Sequence, residues 1–218
     1  MDYEGLVTYV GNATYGAQAI VALWGAYCVV MVWRRVAQKR FRSEEEQTEF
    51  LTAVEDPLAR GDFDSASGIC EGDVRAVPQL ALLAIANRNL GFSKVRQLVV
   101  DRFQRDLMAD LEHRISWINT VIKSAPMLGL FGTVLGMMGA FAKLAAAETV
   151  KPTELANDIS LALITTAIGL AIAIPLGIAM ASINVRIRKM EDLIISGLTH
   201  VLENLRDGLE VRGRRGEG

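Results

Sequence analysis

The sequence predicts an all-α integral membrane protein with three transmembrane helices and long helical cytoplasmic extensions. Three observations lead to this fold class. The chain is 51% hydrophobic, and charged residues are absent from ranges 5–33, 124–142 and 159–185. Apolar residues recur at helical spacing in the charged segments that follow these ranges. Because about 20 residues span the hydrocarbon core, each range is long enough for one transmembrane helix.

The predicted organisation alternates spans with charged segments. The spans are 15–33, 124–144 and 159–183. The flanking segments are 1–14, 34–123, 145–158 and 184–218. Lysine and arginine follow the first and third spans closely, and this enrichment marks the cytoplasmic side. We therefore expect an extracytoplasmic N-terminus and a cytoplasmic C-terminus. The first range has Asp2 and Glu4 before it instead of basic residues, so we interpret it as a retained anchor.

The cytoplasmic segments are predicted to be helical. An acidic helix, SEEEQTEFLTAV, comes before a glycine-containing break, ARGDFDSASGIC, and an apolar stretch, VPQLALLAIANRNLG. Apolar residues at spacings of three and four then predict one amphipathic helix over 92–122 that continues into the second span. A second amphipathic helix follows the third span, and the Gly/Arg-rich tail 211–218 is expected to be disordered.

The chain shows no pattern typical of an enzyme site. Cys28 and Cys70 are separated by the membrane surface and cannot pair, and His113 and His200 both lie in charged amphipathic stretches. A nucleophile–base pair, a metal-ligand spacing and a phosphate-binding glycine loop are all missing from the sequence. We therefore predict no catalytic residue, no metal and no cofactor. No basic stripe with interleaved aromatic residues indicates nucleic acid.

Glycine recurs through the second span, which contains APMLGLFGTVLGMMGAF. Glycine costs about 1 kcal/mol against alanine in a helix in water. Gly129, Gly132, Gly136 and Gly139 fall within about 80° of one another on a helix, with Thr133 beside them. In lipid, stripes of small residues let helices approach closely, so these glycines are predicted to pack helices.

The third span repeats the pattern in ISLALITTAIGLAIAIP. Thr166, Gly169 and Gly177 share one face, Thr165 lies on its flank, and Pro175 removes a backbone hydrogen bond and should bend the helix. Two interpretations stay open from these residues alone. The threonines could line a water or ion path, or they could bond carbonyls one turn back as ordinary packing residues. The spans contain no ionisable residue, so this chain alone cannot carry protons through carboxylates.

These two motifs resemble the signature spans of the MotA/TolQ/ExbB proton-channel family, and most closely its three-span ExbB and TolQ members. The resemblance covers nearly the whole chain. It implies a homo-oligomer, a pentamer, that surrounds two copies of a single-span ExbD/TolR-type partner with an aspartate in its own span. It also implies a bacterial inner-membrane location and contact with lipid. Thr133 and Thr166 match threonines that line the ion path, and Thr165 is the adjacent candidate.

One position departs from the family pattern. Many ExbB and TolQ members have glutamate where this sequence has Leu161, and the nearest acid is Asp158, one turn earlier. The resemblance implies a stator subunit of an ion-driven motor, with the proton as the expected ion and sodium used by some relatives. The motor would power outer-membrane transport, envelope maintenance or gliding. The alternative is an oligomeric membrane scaffold that does not conduct ions.

Overall fold

The computed structural model describes residues 3–146 and 151–216, and these ranges contain helices and turns but no strand. The seven α-helices of these ranges are α1 (Tyr3–Lys39), α2 (Glu44–Ala59), α3 (Phe63–Cys70), α4 (Ala76–Ala86), α5 (Phe92–Arg102), α6 (Ala109–Ala146) and α7 (Pro152–Gly216). The all-α prediction is confirmed. Part of the predicted loop 145–158, residues 147–150, lies outside the described ranges.

Three helical stretches are long and apolar enough to cross a membrane. They are Ala13–Lys39, Phe92–Ala145 and Pro152–Val211. The prediction of three transmembrane helices is confirmed by this count within the described ranges. The second stretch joins α5 to α6 through a π-helical segment, Phe103–Met108, so the amphipathic helix does continue into the second span as predicted. The π-helical turn itself has no signal in the residue spacing.

The chain divides into two compact units. The first, here called the span unit, comprises Met1–Met31 and His113–Ser182. The second, the amphipathic unit, comprises Val32–Glu112 and Ile183–Gly218. Each unit contains one part of α1 and one part of α7, because both helices extend well beyond the apolar ranges that predicted the spans.

The interior of the amphipathic unit is made of large apolar side chains. Leu58, Leu111, Met190, Ile194 and Leu205 are all buried there. Along α7 the buried apolar residues recur at three and four, at Ile187, Met190, Ile194, Leu198, Val201 and Leu205. Their burial is the expected outcome of helical amphipathicity.

Two details of this unit differ from the sequence expectation. The predicted break over 59–70 is confined to a turn, because α3 already begins at Phe63. The side chain of Asp62 accepts a hydrogen bond from the backbone N–H of Ser65 at 3.2 Å and so caps the helix. The tail expected to be disordered is helical through Gly216, and residues 217–218 lie outside the described ranges.

Candidate ion-path site

Glycine residues bring α6 and α7 into backbone contact within the span unit. A Cβ added at Gly129 would lie 2.8 Å from the carbonyl oxygen of Thr165, and one added at Gly169 would lie 2.5 Å from the carbonyl oxygen of Ala125. Real Cβ atoms do not approach backbone oxygen this closely, so neither position has room for a side chain. The two helices therefore contact each other through their main chains.

The same stripe also meets α1. A Cβ at Gly132 would lie 2.7 Å from Thr165 Oγ1 and 3.1 Å from the methyl carbon of Thr14, and one at Gly136 would lie 2.5 Å from the Cβ of Ala162. The contacts of these four glycines are made within one chain. The close helix approaches predicted at these glycines are therefore present inside the subunit.

The remaining predicted packing residues have different surroundings. Gly139 lines an open cleft of the span unit. Nothing lies within 4 Å of a Cβ added at Gly177, and Pro175 is exposed within α7. A packing role for these three residues stays a prediction, and it would require contacts with another chain.

Thr165 is enclosed between the helices. Its side chain is buried, and its hydroxyl lies 2.9 Å from the carbonyl oxygen of Gly129 and 2.7 Å from that of Ala162. A hydroxyl has one proton to donate, so the two carbonyls share it. Thr165 thus ties α7 to α6, and its proton is committed to the main chain.

Thr133 and Thr166 form a second arrangement, in which both residues are half-buried. Their hydroxyl oxygens are hydrogen-bonded to each other. Thr133 Oγ1 also lies 3.1 Å from the carbonyl oxygen of Gly129 and 3.3 Å from that of Ala162. Either hydroxyl can donate in the bond between the two threonines. In the arrangement in which Thr133 donates to a carbonyl, Thr166 donates to Thr133. The lone pairs of Thr166 Oγ1 are then left at the open end of the two-hydroxyl chain.

Gln18 is a polar residue of this region that the sequence analysis did not select. Its side chain is 1% exposed, and its Nε2 donates to the carbonyl oxygen of Thr165 at 2.7 Å. Its Oε1 is buried and accepts no hydrogen bond from the described residues. Gln18 is the only amide side chain in the predicted span 15–33. The sequence feature that could have identified Gln18 is a single amide in an apolar run, because such a group in lipid requires a polar partner.

A cleft of about 320 Å³ opens beside Thr165 in the span unit. Gly132, Gly136 and Ala162 contribute to its lining, and the hydroxyl of Tyr15 donates to the backbone oxygen of Leu161 at 3.1 Å. Lys143 and Asp158 also line the cleft, and their charged atoms are 2.8 Å apart. The acid nearest to Leu161 is therefore held in an ion pair, and the Leu161 side chain itself is exposed.

The described residues outside the spans offer little reactive chemistry. Burial, together with the Asp73 carboxylate, raises the pKa of the Cys70 thiol to about 11. This thiol is therefore protonated at neutral pH and is a poor nucleophile. No group of three or more His, Cys, Asp or Glu side chains in ranges 3–146 and 151–216 could hold a metal ion. The threonine arrangement is the better candidate for function.

Comparison with known proteins identifies the family of this chain. Residues 91–196 match the profile of the MotA/TolQ/ExbB proton channel family. The putative biopolymer transport protein ExbB-like 2 of Helicobacter pylori is 33% identical over 113 residues, which cover 52% of this chain and 73% of the relative. The chain belongs to the MotA/TolQ/ExbB proton channel family. The expected family is confirmed, and the matched region contains Thr133, Thr165 and Thr166.

Other members of the family align over different extents. The Tol-Pal system protein TolQ of Haemophilus influenzae is 42% identical over 81 residues, or 37% of this chain and 36% of TolQ. The putative biopolymer transport protein ExbB homolog of Methanothermobacter thermautotrophicus is 29% identical over 176 residues, or 78% of this chain and 56% of that relative. This chain therefore spans about a third of the length of the TolQ relative and about half that of the archaeal one.

Proposed function

We propose that this chain is the channel subunit of an ion-driven membrane motor, with the proton as the ion. The observation that supports this proposal most directly is the hydroxyl chain from Thr166 through Thr133 to a backbone carbonyl. With Thr133 as the donor to the carbonyl, Thr166 Oγ1 is an acceptor on a half-buried surface of the span unit. An acceptor of this kind can receive a hydrogen bond from water, from hydronium or from a protonated carboxyl group.

A second chain has to supply the titratable group. Ranges 5–33, 124–142 and 159–185 contain no Asp, Glu, Lys, Arg or His, and a proton path normally includes such a residue. We propose an ExbD/TolR-type partner with a transmembrane aspartate, surrounded by a pentamer of this chain in a bacterial inner membrane. The N-terminus would be extracytoplasmic and the C-terminus cytoplasmic. Native mass spectrometry of the complex should give five copies of this chain and two of the partner.

Gln18 extends the polar region toward α1 in this proposal. Its free Oε1 is a second acceptor, and its amide N–H holds the carbonyl of Thr165, next to Thr166 in sequence. We assign Gln18 the role of a positioning residue, since it acts on the threonines through the main chain. Gln18→Leu should therefore lower both the stability of the complex and its ion flux. At the threonines the two effects separate, because Thr165→Val should lower stability and Thr166→Val should lower flux.

The experiment that tests the proposed function is proton uptake into liposomes that contain the complete complex. Thr166→Val removes the open acceptor and keeps the side-chain volume. Hydrogen bonds to charged groups contribute about 1.5–3 kcal/mol, so flux should fall about tenfold or more. Thr166→Ser keeps the hydroxyl and should retain most of the flux.

Thr165→Val is the matched control. The hydroxyl proton of Thr165 is committed to the main chain. Its removal should lower the unfolding temperature of the complex, while flux per assembled complex stays near that of the wild type. Unchanged flux in Thr166→Val, with assembly intact, would contradict the proposed path. In that case the non-conducting scaffold becomes the better account. One observation favours it: the hydroxyls of Thr133 and Thr165 both reach main-chain carbonyls, as in ordinary helix packing.

A further inference from the structure

A cavity of about 380 Å³ lies within the amphipathic unit, between the end of α1, helix α4 and the segment from α5 into the π-helical turn. Its volume is within the usual range of ligand pockets, roughly 300–1,000 Å³. Arg35, Lys39 and Arg102 bring three positive charges to its lining. Asp106 is the carboxylate that lines it. The positive side chains of the lining therefore outnumber the negative ones by two.

The three cations are not equally neutralised. Arg102 is paired with Asp106, with the charged atoms 2.6 Å apart, and Arg35 is 3.6 Å from Asp110. Lys39 instead donates to two neutral acceptors, the carbonyl oxygen of Val74 at 2.9 Å and Oε1 of Gln79 at 3.0 Å. An ammonium group has three protons to donate, so one remains for a further acceptor.

The spacing of Arg35 and Lys39 adds to the positive potential. The two residues are one turn apart on α1, and like charges at this spacing destabilise a helix. An anion bound between them would remove this repulsion and would accept the remaining proton of Lys39 in a charge-assisted hydrogen bond. The cavity is therefore suited to an anion with several acceptor oxygens.

The apolar part of the lining identifies the anion more closely. Leu80, Phe103 and Leu107 line the same cavity as the cations. Arg35 and Lys39 also follow directly on the charge-free range 5–33, so they lie where a membrane-spanning helix leaves the hydrocarbon and meets the phosphates of the lipid. A free phosphate ion would contact only the cations. A phospholipid would contact the cations through its phosphate and the apolar wall through its apolar part.

We propose that this cavity binds the phosphate group of an anionic phospholipid, with Lys39 and Arg35 as its main donors. A zwitterionic lipid carries a phosphate too, but its ammonium group would meet the cations of the lining. The site would tie the first turns of the amphipathic unit to lipids of the leaflet in which α1 ends. This assignment is independent of the ion path.

The test is native mass spectrometry of the full chain, titrated in detergent with phosphatidylglycerol or with phosphatidylcholine. The wild type should bind phosphatidylglycerol in preference. Lys39→Gln and Arg35→Gln should each raise the apparent Kd for phosphatidylglycerol about tenfold, which is the size expected from one charge-assisted hydrogen bond. Lys39→Arg keeps the charge and should stay close to the wild type.

Arg188→Gln is the control, because it removes an exposed positive charge of the same unit away from the cavity. It should change the Kd less than about twofold, as expected for a screened surface charge. A variant is compared only if its elution volume and unfolding temperature match those of the wild type, and Arg35→Gln carries the test if Lys39→Gln does not fold. Equal binding of phosphatidylcholine, equal losses in Arg188→Gln, or displacement of the lipid by inorganic phosphate alone would overturn the proposal.

Discussion

Isoleucines on one helix have opposite surroundings in the two units. Ile194 of α7 is 1% exposed in the amphipathic unit, whereas Ile178 of the same helix is 65% exposed in the span unit. In the amphipathic unit large apolar side chains lie inside and charges lie outside, as in a protein folded in water. In the span unit most buried positions are small or polar, such as Ala125, Ala162 and Thr165, and most large apolar side chains are exposed. The buried exceptions are Ile118, Val121 and Met180.

The difference follows from the solvent that each unit meets. Water drives large apolar side chains together, so the amphipathic unit is stabilised by burying them. Lipid tails are as apolar as leucine, so the span unit gains nothing from the same burial. Its helices are stabilised instead by main-chain contact at glycines and by hydrogen bonds from buried hydroxyl and amide groups. The two units should therefore respond differently to the same substitution.

The largest expected effect compares the two isoleucines directly. Ile194→Ala should lower the free energy of unfolding by about 2–5 kcal/mol, because it leaves a cavity in a packed interior. Ile178→Ala removes a side chain that faces outward and should change stability by less than about 0.5 kcal/mol. Thermal unfolding of the detergent-solubilised protein measures both. A large loss for Ile178→Ala would contradict the outward exposure of this face.

The second prediction concerns the glycine contacts of the span unit. Gly169→Ala places a Cβ against the carbonyl oxygen of Ala125 and should destabilise the protein by about 1–3 kcal/mol, the usual cost of overpacking. Gly177→Ala is the matched control, because nothing lies within 4 Å of its added Cβ. The control should be neutral or slightly stabilising, since alanine is the better helix former.

Unfolding temperatures of the two glycine variants decide whether main-chain contact stabilises the span unit. Equal destabilisation by both changes would mean that Gly177 has a close neighbour on another chain. No destabilisation by Gly169→Ala would contradict the close approach of α6 and α7 as the stabilising feature of this unit.

The smallest expected effect lies at the surface of the amphipathic unit and depends on pH. Arg75 is stacked over the ring of Phe41 at 4.0 Å and pairs with Glu46 at 2.6 Å and with Asp73 at 2.5 Å. The hydrogen bonds from Arg75 hold the pKa of Asp73 below its usual value of 3.8. A lowered carboxyl pKa stabilises the fold above the unfolded value, and this contribution is lost as the pH falls through the folded value.

Asp73→Asn should therefore lower the unfolding temperature slightly at pH 6. The difference from the wild type should disappear when the pH falls below the pKa of Asp73 in the folded protein. The matched control is Asp56→Asn, whose ion pair with Arg60 is largely exposed and should contribute about 0–1 kcal/mol at most. A difference between Asp73→Asn and the wild type that persists unchanged into strong acid would contradict the role of the Asp73 charge.

Much of the fold could be predicted because the membrane imposes a simple pattern. Long charge-free ranges identified three spans, and the small-residue stripe identified the face on which α6 meets α7. The extent of the break over 59–70 could not be predicted in the same way. It depended on whether Asp62 caps a new helix, and glycine and aspartate are also common in turns. The continuation of α7 through Gly216 was missed because glycine and charge are typical of disordered tails.

The sequence by itself determined the fold class and the three spans through composition and spacing. It determined the family and the set of candidate threonines through the resemblance of two motifs to known family members. Tertiary structure decided how the threonines differ. Thr165 and Thr166 are adjacent in the chain, and only the packing of α7 on α6 turns one hydroxyl into the interior and bonds the other to Thr133 at a half-buried position. It also decided that Gln18 of α1 reaches Thr165. The partner of a hydrogen bond depends on which groups meet across helices, and residue spacing along one helix does not contain that information.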